Sequence, residues 1–235
     1  MAAAGFVLSG CSAPATDGAS SQSSEAGPTT ESGEVVYPVV ISIDADSPEQ
    51  AVLAEIYRQQ LEEMDHKTRV IHPEPGDDPN TVERIKTTEA NFVIGCTGDL
   101  LAELNPTGTS ELATEITTAE QAGDTSFNLV QRTYDELVGS LPGDMQTTDP
   151  SPAGGCADTE HPELAQSIVP VFSKGLFDRG ERGAVNLWTR GFVAEELQEI
   201  VDDVDSGETV ENAVSTWRST NNSTVNQGDD SNDDN

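Results

Sequence analysis

Cys11, in the run Leu8-Ser9-Gly10-Cys11, is the residue whose setting most clearly implies chemistry. A leucine, two small residues and then cysteine is the pattern at which bacterial lipoprotein precursors are cut. The thiol is acylated and the cysteine becomes the new N-terminus. Residues 12–34 (SAPATDGASSQSSEAGPTTESGE) are nearly all Ser, Thr, Ala, Gly, Pro and acidic. Such a composition cannot bury a core and stays flexible. The alternative is a chance cysteine near a disordered N-terminus, and the tether composition weighs against it. No Lys or Arg precedes Arg58, although signal peptides open with a charged segment. The apolar stretch Ala2–Leu8 is also short against the usual ~7–15 residues, so the true start is expected upstream of Met1. A single acyl chain anchors weakly, and bacterial lipoproteins carry several on the one cysteine.

Cys96 and Cys156 remain once Cys11 is lipidated. Facing an oxidising, extracytoplasmic compartment, they are expected to be bridged rather than to persist as two buried thiols. The bridge would close a loop of about 60 residues, worth on the order of 4 kcal/mol on a chain-entropy argument. His66, His72 and His161 stand apart in polar surroundings and no CxxC spacing occurs, so no metal site is expected. Neither a nucleophile-elbow glycine pattern nor a phosphate-binding glycine loop is present, and Asp44 and Asp46, two acids in one turn, read as solvated or capping. An enzyme is not expected, and no cofactor is implied.

The chain has 43 acidic and 11 basic residues and a net charge of -32. That argues against nucleic acid and anionic membrane surfaces as partners and favours cationic ligands only through long-range steering. A solvated acidic surface accounts for the same charge without any ligand. No stretch reaches the ~20 apolar residues of a bilayer span. Residues 1–11 are read as a lipoprotein signal segment, 12–34 as a tether, 35–220 as one folded domain and 221–235 as a disordered acidic tail. A domain of that size buries roughly 70% of its unfolded surface.

The elements that must position these groups follow from pattern. Val35–Ile43 (VVYPVVISI) is β-branched and of strand length, with Pro38 near its start. Ser47 is a plausible N-cap, Pro48 sits at the first helical position, and Val52, Leu53, Ile56, Tyr57 and Leu61 form one helical stripe. Val70-Ile71 predicts a second strand, Asn80–Ala90 a second helix and Asn91–Cys96 a buried strand. Alternation of this kind makes an α/β fold with a mainly parallel sheet flanked by helices. Ligands bind such sheets at the carboxyl ends of the strands, which places Asp44–Ser47 and Gly95–Gly98 at the mouth of a site.

The segment ISIDADSPEQAVLAEIYRQQLEE resembles the opening of ABC-transporter substrate-binding proteins of the glycine betaine, carnitine and choline group. Cys96-Thr97-Gly98-Asp99-Leu100-Leu101 is similar to that family's "YTG" and leucine-rich helix. Residues 134–153 (YDELVGSLPGDMQTTDPSPA) are similar to its helix, "LP" turn and "DPSPA" strand end. Gln166–Phe172 (QSIVPVF) and the closing helices of 195–217 match its return segment. The resemblance implies a periplasmic-binding-protein type II-like fold and an extracytoplasmic, lipid-anchored component that hands a small osmolyte such as glycine betaine to an ABC permease. It implies ligand contacts at Asp46, Ser47, Cys96, Thr97 and Gly98.

Two departures modify that expectation. Only residues 154–165 separate "DPSPA" from the return segment, where the family carries a whole second lobe, so a single lobe is expected, its stump tied by Cys156 to Cys96. Quaternary ammonium ligands are held by aromatic faces. The family commonly places aromatics where this chain has Ser47 and Cys96. The alternative is a degenerate surface lipoprotein that keeps one lobe as a scaffold for protein contacts.

Overall fold

Ser47 starts the first helix in the computed structural model, which describes residues 29–31, 34–44, 46–73, 80–156 and 159–227. Cys11, expected to carry the anchor, and most of the stretch expected as a tether lie outside these residues. The Ser47 Oγ accepts the Gln50 N–H at 3.2 Å, Pro48 occupies the first turn, and α1 runs Pro48–Glu63. Its predicted stripe is buried, with Ile56, Tyr57 and Leu61 fully so. No helix among the described residues is long and apolar enough to cross a membrane.

The predicted first strand divides at Tyr37-Pro38. A short antiparallel pair, β1 (Thr29–Glu31) and β2 (Glu34–Val36), precedes the break, and β3 (Val39–Ser42) enters the main sheet after it. Proline has no N–H to give a central ladder. Asn91 takes over part of that work, accepting the Val40 N–H and donating to the Pro38 carbonyl, both at 2.8 Å. The predicted helix over 80–90 shrinks to α2 (Arg84–Thr87). Thr88 ends it by donating its hydroxyl to the Arg84 carbonyl and accepting the Ala90 N–H, a local bond that competes with further helix.

Five strands form one mixed sheet in the order β4 (Thr68–Ile71), β3, β5 (Phe92–Cys96), β7 (Ile168–Ser173), β6 (Met145–Thr147). The β3 pairings with β4 and β5 are parallel; those of β7 with β5 and β6 are antiparallel. The expectation of a mainly parallel sheet is therefore corrected to a mixed one. The cause is local: no crossover helix follows β6 among the described residues. Residues 148–156 and 159–167 stay at the carboxyl end of the sheet, so β7 starts where β6 stops and must run back against it.

Helices cover both faces. Alternate strand residues Ile41, Phe92, Ile94, Ile168 and Phe172 pack with α1, α6 (Arg179–Arg190), α7 (Ala194–Asp205) and α8 (Val210–Gln227). Val93, Val169 and Val171 pack with α3 (Thr97–Leu104), α4 (Pro106–Ala122) and α5 (Leu129–Ser140). The last helix, α8, extends into the stretch expected as tail. Tyr57 is the centre of the first core. Its ring meets Phe92 and Phe192 edge-on at centroid distances of 5.2 and 5.7 Å, and its hydroxyl lies 2.7 Å from Thr189 Oγ1. Burial raises the phenol's pKa. Tyr57→Phe leaves the ring in place and Thr189 still bonded to the Val185 carbonyl. It should therefore cost only about 1 kcal/mol in urea unfolding, whereas Tyr57→Ala should cost about 3–5 kcal/mol.

Candidate functional site

Three connections meet at the carboxyl end of the sheet: Asp44 to Ser47 after β3, the β5–α3 junction, and residues 148–167 before β7. Both α1 and α3 begin there, with acids in their first turns, Glu49 and Asp99. A helix N-terminus favours negative charge, so each acid has a structural reason to be present. Asp44 Oδ1 accepts the Asp46 N–H at 3.0 Å, and Gln50 Oε1 accepts the Asp44 N–H at 2.8 Å, which closes the turn over the helix start.

The expected disulfide is present. Cys96, at the end of β5, is bonded to Cys156, with their Cα atoms 6.1 Å apart. Cys156 holds a left-handed backbone at φ 55°, a conformation that costs a non-glycine residue about 1–2 kcal/mol. Its N–H points at the Glu49 carboxylate, 3.3 Å from each oxygen. Gly155 permits this approach, because a Cβ there would lie 2.5 Å from Glu49 Oε1 and 2.8 Å from Ile168 Cγ1. Gln166 ties the same segment to α3: its Nε2 donates to Thr159 Oγ1 and the His161 carbonyl at 3.1 and 3.0 Å, and its Oε1 accepts the Asp99 N–H at 3.3 Å.

Between these pieces and α7 lies a cavity of about 630 Å³. Leu53, Ile94 and Ile168 form its apolar floor, and Ala194, Leu197, Gln198 and Val201 present one face of α7 as a wall. Asp44, Asp46, Glu49 and Asp99 are its charged lining residues; no Lys, Arg, His or aromatic residue joins them among the described residues. Burial raises the Glu49 carboxyl above the usual carboxylate range, a shift that the Cys156 N–H only partly offsets. No group of acids, histidines and cysteines among the described residues could hold a metal ion.

Of the residues singled out from the sequence, Asp46, Ser47 and Cys96 line this cavity. Thr97 and Gly98 face away from it. Thr97 is fully buried, donating its hydroxyl to the Ala165 carbonyl at 2.6 Å and accepting the Ser167 N–H at 3.2 Å. A Cβ on Gly98 would lie 2.8 Å from the Leu164 Cβ, so that position serves close packing of α3 against the return segment. The aromatics behave as core: Tyr57, Phe92, Phe172 and Phe192 are buried, while Trp188, Trp217 and Tyr134 pack against the two clusters. Asp99, Gln50 and the α7 wall were not identified from sequence. Asp99 stands in the first turn of α3, a signal that could have found it, but α7 comes from about a hundred residues away and carries none.

Two outcomes follow. Replacing Cys96 and Cys156 together by Ser should lower stability by on the order of 4 kcal/mol in urea unfolding. For Glu49 the folded pKa is raised, so below the unfolded value both states are protonated and nothing is lost. As pH rises through the folded value, ionisation costs stability. Glu49→Gln should therefore be more stable than the parent near neutral pH, with the difference shrinking as pH falls toward 4.5. Thermal melts across pH 4–8 would read it. No family model matches the sequence, and no curated protein matches it significantly.

Proposed function

We propose that this chain is an extracytoplasmic, lipid-anchored substrate-binding component of an ABC transporter for a small organic cation, the glycine betaine class being the one to which the sequence resemblance points. One observation carries the reading: the cavity at the carboxyl ends of the strands is walled by Asp46, Ser47 and Cys96 and has carboxylates as its only charged lining among the described residues. Its volume falls within the ~300–1,000 Å³ range of small-molecule sites. In this reading Cys11 carries the anchor, the protein stays outside the membrane, and the partner is a permease in that membrane.

The finer fold reading is a periplasmic-binding-protein type II-like lobe standing alone. The reversed strand β7 supports it, because Gln166–Phe172 is the stretch that resembles the family's return segment and it re-enters the sheet from the ligand end. A second reading, a single-lobe scaffold for protein contacts, is favoured by the disulfide. Cys96 stands where the family commonly places an aromatic, and here its sulfur is committed to Cys156.

Isothermal titration separates the two. Glycine betaine, choline, carnitine and proline betaine, together with the amines putrescine and agmatine, should include at least one cation that gives saturable, one-to-one heat at micromolar concentration. Silence with all six from folded protein would contradict the receptor reading and leave the scaffold.

A further inference from the structure

Resting on that receptor reading, we infer that the cavity selects a cation that donates hydrogen bonds, an aliphatic amine or guanidine without a carboxylate, rather than a quaternary ammonium or a betaine. A quaternary ammonium has no N–H, so carboxylates offer it only Coulomb attraction, and its selective recognition relies on aromatic faces. No aromatic residue lines this cavity among the described residues. The aromatics nearest in sequence to the lining, Phe92 and Phe192, are buried in the core against the ring of Tyr57, whose hydroxyl is engaged by Thr189.

A primary ammonium or a guanidinium presents several N–H donors, and charge-assisted bonds to carboxylates are stronger than neutral ones. Glu49 is the group best placed to receive one. Its carboxylate lies in the wall beside Gly155, partly desolvated, with no basic residue in the lining among the described residues. It accepts the Cys156 N–H at 3.3 Å on both oxygens, a long contact that leaves lone pairs free. A donor cation would supply the counter-charge this carboxylate lacks.

The same wall discriminates on the other end of the ligand. Betaines, carnitine and free amino acids carry a carboxylate. Here that group would meet Asp44, Asp46 and Asp99 with no basic side chain in the lining to receive it. The apolar floor of Leu53, Ile94 and Ile168, faced by Leu197 and Val201 of α7, suits a methylene chain instead. Together these features describe a chain-like amine with charge at one or both ends.

Agmatine and arginine share a guanidinium and a methylene chain and differ by one carboxylate, so they are the sharpest pair. Titration of the full chain should show agmatine and putrescine saturating one site, with arginine weaker by about tenfold or more. Glu49→Gln, which keeps an oxygen for the Cys156 N–H, should weaken agmatine by about tenfold. Glu111→Gln, on the exposed side of α4, should leave agmatine binding unchanged. Equal affinity for arginine and agmatine would overturn the inference. So would equal losses in the two variants, which would mean diffuse adsorption to an acidic surface. Binding of glycine betaine or choline without the amines would overturn the inference and leave the receptor reading standing. Silence with every cation would overturn the receptor reading itself.

Discussion

The constraint on which the carboxyl end of the sheet depends is that residues 148–156 and 159–167 stay there. With no crossover helix after β6 among the described residues, the chain turns at the carboxyl ends of the strands and descends as β7, antiparallel to its neighbours on both sides. The disulfide then fixes that turn to the end of β5. Thr97, Gln166 and Ser151 fasten it further; Ser151 donates its N–H to the Ile168 carbonyl and its Oγ accepts the Ile168 N–H. The cavity exists because this tied segment stands on one side of the strand ends and α7 on the other.

Electrostatics gives the cavity its character. The protein carries -32 overall, and most acids among the described residues are exposed or half-buried, which says little about function. The carboxylates at the helix starts differ, because helix dipoles favour them there and the cavity removes part of their water. Glu49 shows the balance. Desolvation outweighs its bond to the Cys156 N–H, so the carboxyl holds its proton more tightly than an exposed one. A bound cation would reverse that balance.

How much of this was legible in the sequence depends on the range of the interaction. The cap, the proline and the stripe of α1 are local signals, and the helix begins where Ser47 and Pro48 place it. The Cys96–Cys156 pairing was also legible, because the expected acylation of Cys11 leaves those two cysteines to each other. Long-range effects were not. The reversal of β7 depends on where β6 ends, which alternation of strands and helices does not encode. Thr97 and Gly98 look like mouth residues by position, yet helix geometry turns them toward Ala165 and Leu164. The α7 wall arrives from near the other end of the domain with ordinary core periodicity. The predicted strand over 35–43 and helix over 80–90 were too long because Pro38 and Thr88 act on single backbone bonds that a windowed pattern averages away.

A specific cation site at the carboxyl end of the sheet and a uniformly acidic surface respond differently to an added amine. The most direct test is to follow backbone amide resonances of the labelled protein while agmatine is added. A specific site predicts saturable shifts concentrated at Asp46–Gln50, Gly95–Cys96, Gly154–Cys156 and Leu197–Val201, with the exposed acidic face of α4 (Glu111, Glu115, Glu120) unmoved. Small, non-saturating shifts spread over that face, with the cavity segments no different from it, would rule the site out.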